Sequence, residues 1–333
     1  MKKIEVYREK IFDCAKILEQ RLIPNDISEY KIMFHDFSVI NDLLRQLGKT
    51  NRFGVCYKNP FKKYIFEVSK DELDNIVFDK LYLPSIPYTI FSPKVDEKKL
   101  EIIFCEFLKN TDIDLYNIYI NLLSENMFFY CKKKQQFGCV QYLINFNKFF
   151  VNIKNNKFKH FTLIHELGHI KQIKLCEQNI NSLDNLYKSL FTEVYSKYVE
   201  IKWCEYLKKQ GYMNIGLKWE ENFLTCFSIY CEKIIDLYKN KSKTILVHQE
   251  HFLKNYIGYL LAVYLKDIDF KELDKLNKSI VSKDNETMVP SINKELFKED
   301  IIDSIKKYYS EYCDDFKKQK VLKKQSIRQV QSK

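Results

Sequence analysis

His165-Glu166-Leu167-Gly168-His169 stands within the segment FTLIHELGHIKQI. Two histidines four residues apart are about 40° apart around an α-helix, so both imidazoles leave the same face. Two neutral imidazoles so placed can bind one Zn²⁺, each at about 2.0–2.1 Å. Glu166 follows the first histidine, where its carboxylate can reach a water on the ion. Phe161, Leu163, Ile164, Leu167 and Ile170 surround the motif and predict a buried helix. A His–Glu–His set buried there needs a partner to offset its desolvation, and a divalent cation is such a partner.

A catalytic zinc keeps three protein ligands and one open position, so the third ligand should come from a second helix packed on the first. Glu193, in SLFTEVYSKYVEIKW, lies 28 positions after His165. That gap is long enough to finish one helix, turn through QNINSLDN and return antiparallel. Ser196 and Glu200 follow on the face of Glu193 and are expected just behind the ligands. Glu200 would orient His165 or His169 through the free ring nitrogen. The same stretch also reads as a solvent stripe, with Glu193, Lys197 and Glu200 joined by i,i+4 ion pairing. Gly168, inside the zinc helix, costs about 1 kcal/mol against alanine. Close packing of a neighbouring element over the metal would explain it.

The elements that must position these residues are mostly helical. Only 7 glycines and 6 prolines occur, and none of the prolines lies between Lys94 and Val289, which permits long helices there. Helical patterns run near 97–109, 113–127, 158–176, 183–209, 218–240, 245–266, 270–281 and 292–318, with less regular ones near 4–20, 28–47 and 70–80. Met127 to Phe150 differs. FGCVQYLINFNKFF is rich in aromatic and β-branched residues around Gly138 and predicts one or two strands. The fold class is therefore mainly α with a small β-sheet. LPSIPYTIFSP (83–93) is the expected boundary between an N-terminal helical region over the cleft (1–95) and a catalytic domain (96–333).

Four blocks together resemble one family. TLIHELGH carries the two histidines, and FTEVYSKYVE places a Glu, a Ser and a second Glu. KKQQFGCVQYLINFN precedes the zinc helix, and YIGYLLAVYL follows late. Over roughly residues 130–265 the chain resembles the thimet oligopeptidase and oligoendopeptidase F zinc metallopeptidases, of the zincin-like (gluzincin) class. The resemblance implies one zinc per chain, held by His165, His169 and Glu193, and cleavage of peptide bonds in short peptides with Glu166 as general base. It implies a mostly helical fold with a deep channel. This chain is shorter than typical members, mainly before the zinc helix, which implies a reduced cap over the channel.

In the late block the resemblance matches Tyr259 to a substrate-binding tyrosine. Phe252 stands where a second tyrosine is expected, and Val247 where a histidine is. His248, His251 and Tyr256 are near enough to supply the missing groups. Gly138, Gln141 and Asn145 would line an edge strand onto which an extended peptide adds by β-augmentation, with Gly138 allowing close backbone approach.

Two other readings compete. One is a protease dedicated to a protein substrate, such as a toxin, maturation or regulatory protease, which the shortened N-terminal part favours. The other is a silent peptide-binding module of the same fold, which Phe252 favours.

A net charge of +11 favours polyanions, but the lysines are scattered and the densest run, Lys317 to Lys324, is a solvated tail; no nucleic acid is expected. The longest apolar run, Tyr256 to Leu265, is about half a membrane span. Ten cysteines stand singly without a CxxC pair, and MKKIEVYREKIF has no apolar stretch, so reduced thiols in the cytoplasm are expected.

Overall fold

The computed structural model describes residues 56–58, 82–88, 96–131, 139–143, 148–154, 158–175, 186–240, 244–282 and 299–331. The expected helices at 4–20, 28–47 and 70–80 lie outside these residues. Within them the chain is mainly helical with a small sheet, as its composition and periodicity predict.

Helix α1 (Glu97–Thr111) starts at Asp96, whose side chain accepts from the backbone N–H groups of Lys98 and Lys99. Asp112 ends α1 and begins α2 (Ile113–Ser124), accepting from Asp114 N and Leu115 N. Such caps satisfy N–H groups that a helix start leaves unpaired. Strands β2 (Phe128–Cys131), β3 (Cys139–Leu143) and β4 (Lys148–Lys154) follow. A further strand, β1 (Cys56–Lys58), comes earlier in the chain. The three-stranded sheet has the order β2-β4-β3, with β2 parallel and β3 antiparallel to β4. Phe149, Val151 and Ile153 alternate inward along β4 and are buried, as the period of two requires.

Beyond the sheet come α3 (Lys159–Leu175), α4 (Leu186–Lys209), α5 (Met213–Asn240), α6 (Val247–Tyr264), α7 (Phe270–Ser282) and α8 (Glu299–Gln331). Between α5 and α6 lies β5 (Thr244–Leu246), which pairs antiparallel with β1. The sequence pattern gives these residues to a helix from 245; the β-branched Thr244 and Ile245 instead pair as strand. Trp203 of α4 sits in an aromatic core with Phe104, Phe107, Phe161 and Tyr206. The proline-rich segment 82–88 is docked on α8, where Tyr309 and Tyr312 donate to the carbonyls of Ser85 and Pro87.

A buried ion network fixes α3 against three neighbours. Lys171 is 3% exposed. Its ammonium pairs with Asp112 and lies 2.9 Å from Asp274 Oδ2 of α7, while Tyr195 of α4 donates to Asp274 Oδ1 at 3.0 Å. Removing one partner of a buried pair leaves an uncompensated charge. Lys171→Met is therefore expected to destabilise the fold by about 3 kcal/mol in urea unfolding. Adding Asp112→Asn and Asp274→Asn should recover part of the loss.

Candidate metal centre

Helix α3 is buried nearly all round. Phe161, Leu163, Ile164, Leu167 and Ile170 are 4% exposed or less, and Glu166 is buried among them. His165 and His169 keep 16% of their side-chain surface open. Their rings stand edge to face, 4.6 Å apart, with both Nε2 atoms turned inward and 3.0 Å from one another.

Glu193 arrives from α4. Its Oε2 lies 3.5 Å from His165 Nε2 and its Oε1 3.9 Å from His169 Nε2. Two donors about 2.0–2.1 Å from one ion at the tetrahedral angle lie roughly 3.3–3.4 Å apart. Separations of 3.0, 3.5 and 3.9 Å bracket that value, so the three donors fit a tetrahedral ion with its fourth position unassigned. Two imidazoles and a carboxylate also match the donor types zinc takes in catalytic sites.

Two glycines allow the convergence. A Cβ on Gly168 of α3 would lie 2.9 Å from Ser196 Cα, and one on Gly258 of α6 would lie 2.5 Å from Glu193 Cβ. Both distances are below normal contact, so α4 is held between α3 and α6 where each has no side chain. Close packing does account for Gly168.

Glu200 lies behind His165. Its Oε1 is 2.6 Å from His165 Nδ1, which fixes Nδ1 as the donor and leaves Nε2 as the metal-facing lone pair. Lys197 Nζ donates to the same oxygen at 2.9 Å, and Trp219 Nε1 donates to Oε2 at 3.1 Å. Trp219 is itself held by flat stacking on Phe161, 5.0 Å away.

Burial shapes the charges. It pushes His169 down to about 4, aided by the positive charges of His165 and Lys197, so this ring is neutral at pH 7. For His165, burial and Lys197 press downward, but the Glu200 bond and the charges of Glu200 and Glu193 outweigh them and raise its pKa. Burial also presses Glu200 upward; the Lys197 charge and the His165 bond prevail and hold it at about 2. Burial pushes Glu166 to about 7, and the charges of Glu193 and Glu200 add to it.

Other expected site residues fall differently. Tyr256 is a core residue, stacked on Phe227 at 5.8 Å and 1% exposed, not a cleft donor. The reason is helical phase: two residues from Gly258 is about 200° around α6, on the far side from Glu193. Ser196 does not orient a ligand. Its Oγ has no hydrogen-bond partner among the described residues, and its small size admits Gly168. Tyr259 is buried against Phe223 and Tyr230, with Lys197 Nζ 4.8 Å from its ring centroid. His248 and His251 fall in the first turns of α6, and Gln141 pairs with Phe150 in β3. The side chains of these three, and Gly138 and Asn145 entirely, lie outside the described residues.

Lys197 and Trp219 went unread as site residues. For Lys197 a signal existed: Val194, Tyr195, Tyr198, Val199, Ile201 and Trp203 circle α4, and all are buried. A helix apolar on every side has no solvent stripe. Trp219 carried no such signal.

No protein-family model matches the chain, and no curated protein matches it. Among solved structures, one described as a "putative oligoendopeptidase F from Bacillus anthracis str. Ames" aligns with a TM-score of 0.49 at 15% identity. The match covers 86% of this chain and 64% of that one, so the chain spans less than two thirds of that protein's length. A likeness at this level leaves function to be argued from the residues.

Two outcomes are expected. Gly258→Ala should weaken zinc binding about tenfold in chelator competition, because its methyl displaces Glu193, although alanine favours the helix by about 1 kcal/mol. In the metal-free chain, Glu166 moves from an ordinary 4.5 to about 7 on folding. Within that window the folded chain holds a proton the unfolded chain has released, so stability falls as pH rises. Glu166→Gln should therefore raise the urea midpoint of the metal-free chain at pH 8 and leave it unchanged at pH 4.

Proposed function

We propose that the chain is a zinc-dependent endopeptidase acting on short peptides. The observation that carries this reading is the convergence of His165 Nε2, His169 Nε2 and a Glu193 carboxylate from two helices, with Glu166 buried beside them. The sequence blocks that resemble oligoendopeptidase F support it.

His165, His169 and Glu193 would hold the ion, and Glu200 would keep His165 in the tautomer that coordinates. Zinc bound there supplies Lewis acidity, polarising a peptide carbonyl and acidifying water. Glu166 takes the proton of the attacking water and returns it to the leaving amine as the C–N bond breaks.

The oxyanion needs a donor. His251 lies seven residues before Gly258, about 20° from it around α6, and so shares the face that meets Glu193. We assign that role first to His251, with His248 one turn earlier and Tyr259 as the other donors from the same helix. Among the described residues strand β3 lies at the edge of its sheet and would accept an extended peptide, with Gly138, Gln141 and Asn145 along the path. The thiols of Cys105, Cys204, Cys226, Cys231 and Cys313 suit a reducing, cytoplasmic setting.

Quenched short peptides and folded proteins, each with zinc-loaded chain, test the substrate class. Peptide cleavage that stops on chelation and returns with zinc is the expected result. Glu166→Gln should keep the metal and lose about 10²-fold or more in rate. Glu193→Gln should weaken zinc binding more than Glu200→Gln; the reverse order would exchange their roles.

A further inference from the structure

Lys197 lies inside the candidate site yet has no part in holding the ion or moving the proton. Its ammonium donates to Glu200 Oε1 at 2.9 Å, and that same oxygen lies 2.6 Å from His165 Nδ1. The ammonium also sits 4.8 Å from the centroid of the Tyr259 ring. The side chains of Lys197 and Glu200 are only 11% and 9% exposed. An exposed pair of this spacing contributes little, but enclosure removes the competing water.

Trp219 Nε1 holds the other Glu200 oxygen at 3.1 Å. With Trp219 alone the carboxylate could turn about its terminal bond and carry Oε1 away from the imidazole. With Lys197 in place both oxygens are held, and the ring plane of His165 follows. The Tyr259 contact seats the ammonium on α6, the helix whose Gly258 meets Glu193.

We infer that Lys197 is a positioning residue for the metal site: it fixes the Glu200 carboxylate, and through it the His165 ring, and ties that setting to α6. This inference rests on the metal reading above.

The test is zinc affinity by chelator competition on the full chain, for the parent, Lys197→Met, Lys197→Arg, Glu200→Gln and the Lys197→Met/Glu200→Gln pair. Methionine keeps the unbranched stem and removes the charge. Lys197→Met should weaken zinc by about tenfold or more, as loss of a partner behind a ligand does. Lys197→Arg should restore most of the affinity. In the Glu200→Gln background Lys197→Met should add little, because the group it acts through is gone. The double variant removes both partners of the Lys197–Glu200 pair together, so neither is left facing the other's absence, as happens in the single variants. In ¹⁵N-histidine spectra of the metal-free chain, the His165 Nδ1–H signal should move in Lys197→Met and stay in Lys197→Arg. Parent-like zinc affinity in Lys197→Met, or an equal loss with and without Glu200, overturns the role of Lys197 and leaves the zinc site standing. A parent chain that binds no zinc overturns the metal reading and this inference together.

Discussion

Helix α4 lies closer to two other helices than side chains normally permit, and the candidate site exists because of that. Gly168 lets Ser196 of α4 reach the backbone of α3, and Gly258 lets Glu193 reach that of α6. Glycine inside a helix weakens it by about 1 kcal/mol, so two such positions mark places where approach matters more than helix stability. Push α4 out by one methyl on either side and the carboxylate of Glu193 no longer stands 3.5 Å from His165. The tertiary contact, not the histidine motif, turns two rings on one helix into a three-donor set.

That crowding brings an electrostatic burden. Glu193 and Glu200 both act on Glu166 with their negative charge, and burial raises the cost of ionising Glu166 and Glu200. Lys197 offsets one negative charge. With all three carboxylates ionised, two remain, the charge a divalent cation would match. Lys171, two residues beyond His169, shows the same logic in a purely structural setting, with Asp112 and Asp274 as its counter-ions. One end of α3 is thus fixed by ion pairs that serve the fold, while its middle gathers carboxylates whose charge a proton or a cation can balance.

Much of this was legible in the chain itself, and what was not has physical reasons. The two imidazoles share a helix face by local geometry alone, so HExxH could be read without a fold. Glu193 needed a guess about a second helix, and the loop length supplied it. A run of aromatic and β-branched residues predicts one or two strands where three form, β2 to β4, and β5 is not predicted at all, because its partner β1 is nearly two hundred positions earlier. Helix α5 begins at Met213, before the expected 218, and takes in Gly216, a contact point where a Cβ would lie 2.5 Å from Lys208 Cγ. Helix α8 runs on to Gln331 although apolar periodicity fades after Phe316, since lysine and glutamine are good helix formers without it.

The errors at the site share one cause, the phase of a helix. Tyr256 is expected as a donor, but with Gly258 fixed against Glu193 it turns to the opposite side and stacks in the core, while Tyr259, about 100° from the contact face, meets Lys197. The competing reading of Glu193, Lys197 and Glu200 as a solvent stripe fails for the converse reason: the apolar residues circling α4 leave no side for water. Once one contact fixes the phase of each helix, the remaining assignments follow by rotation.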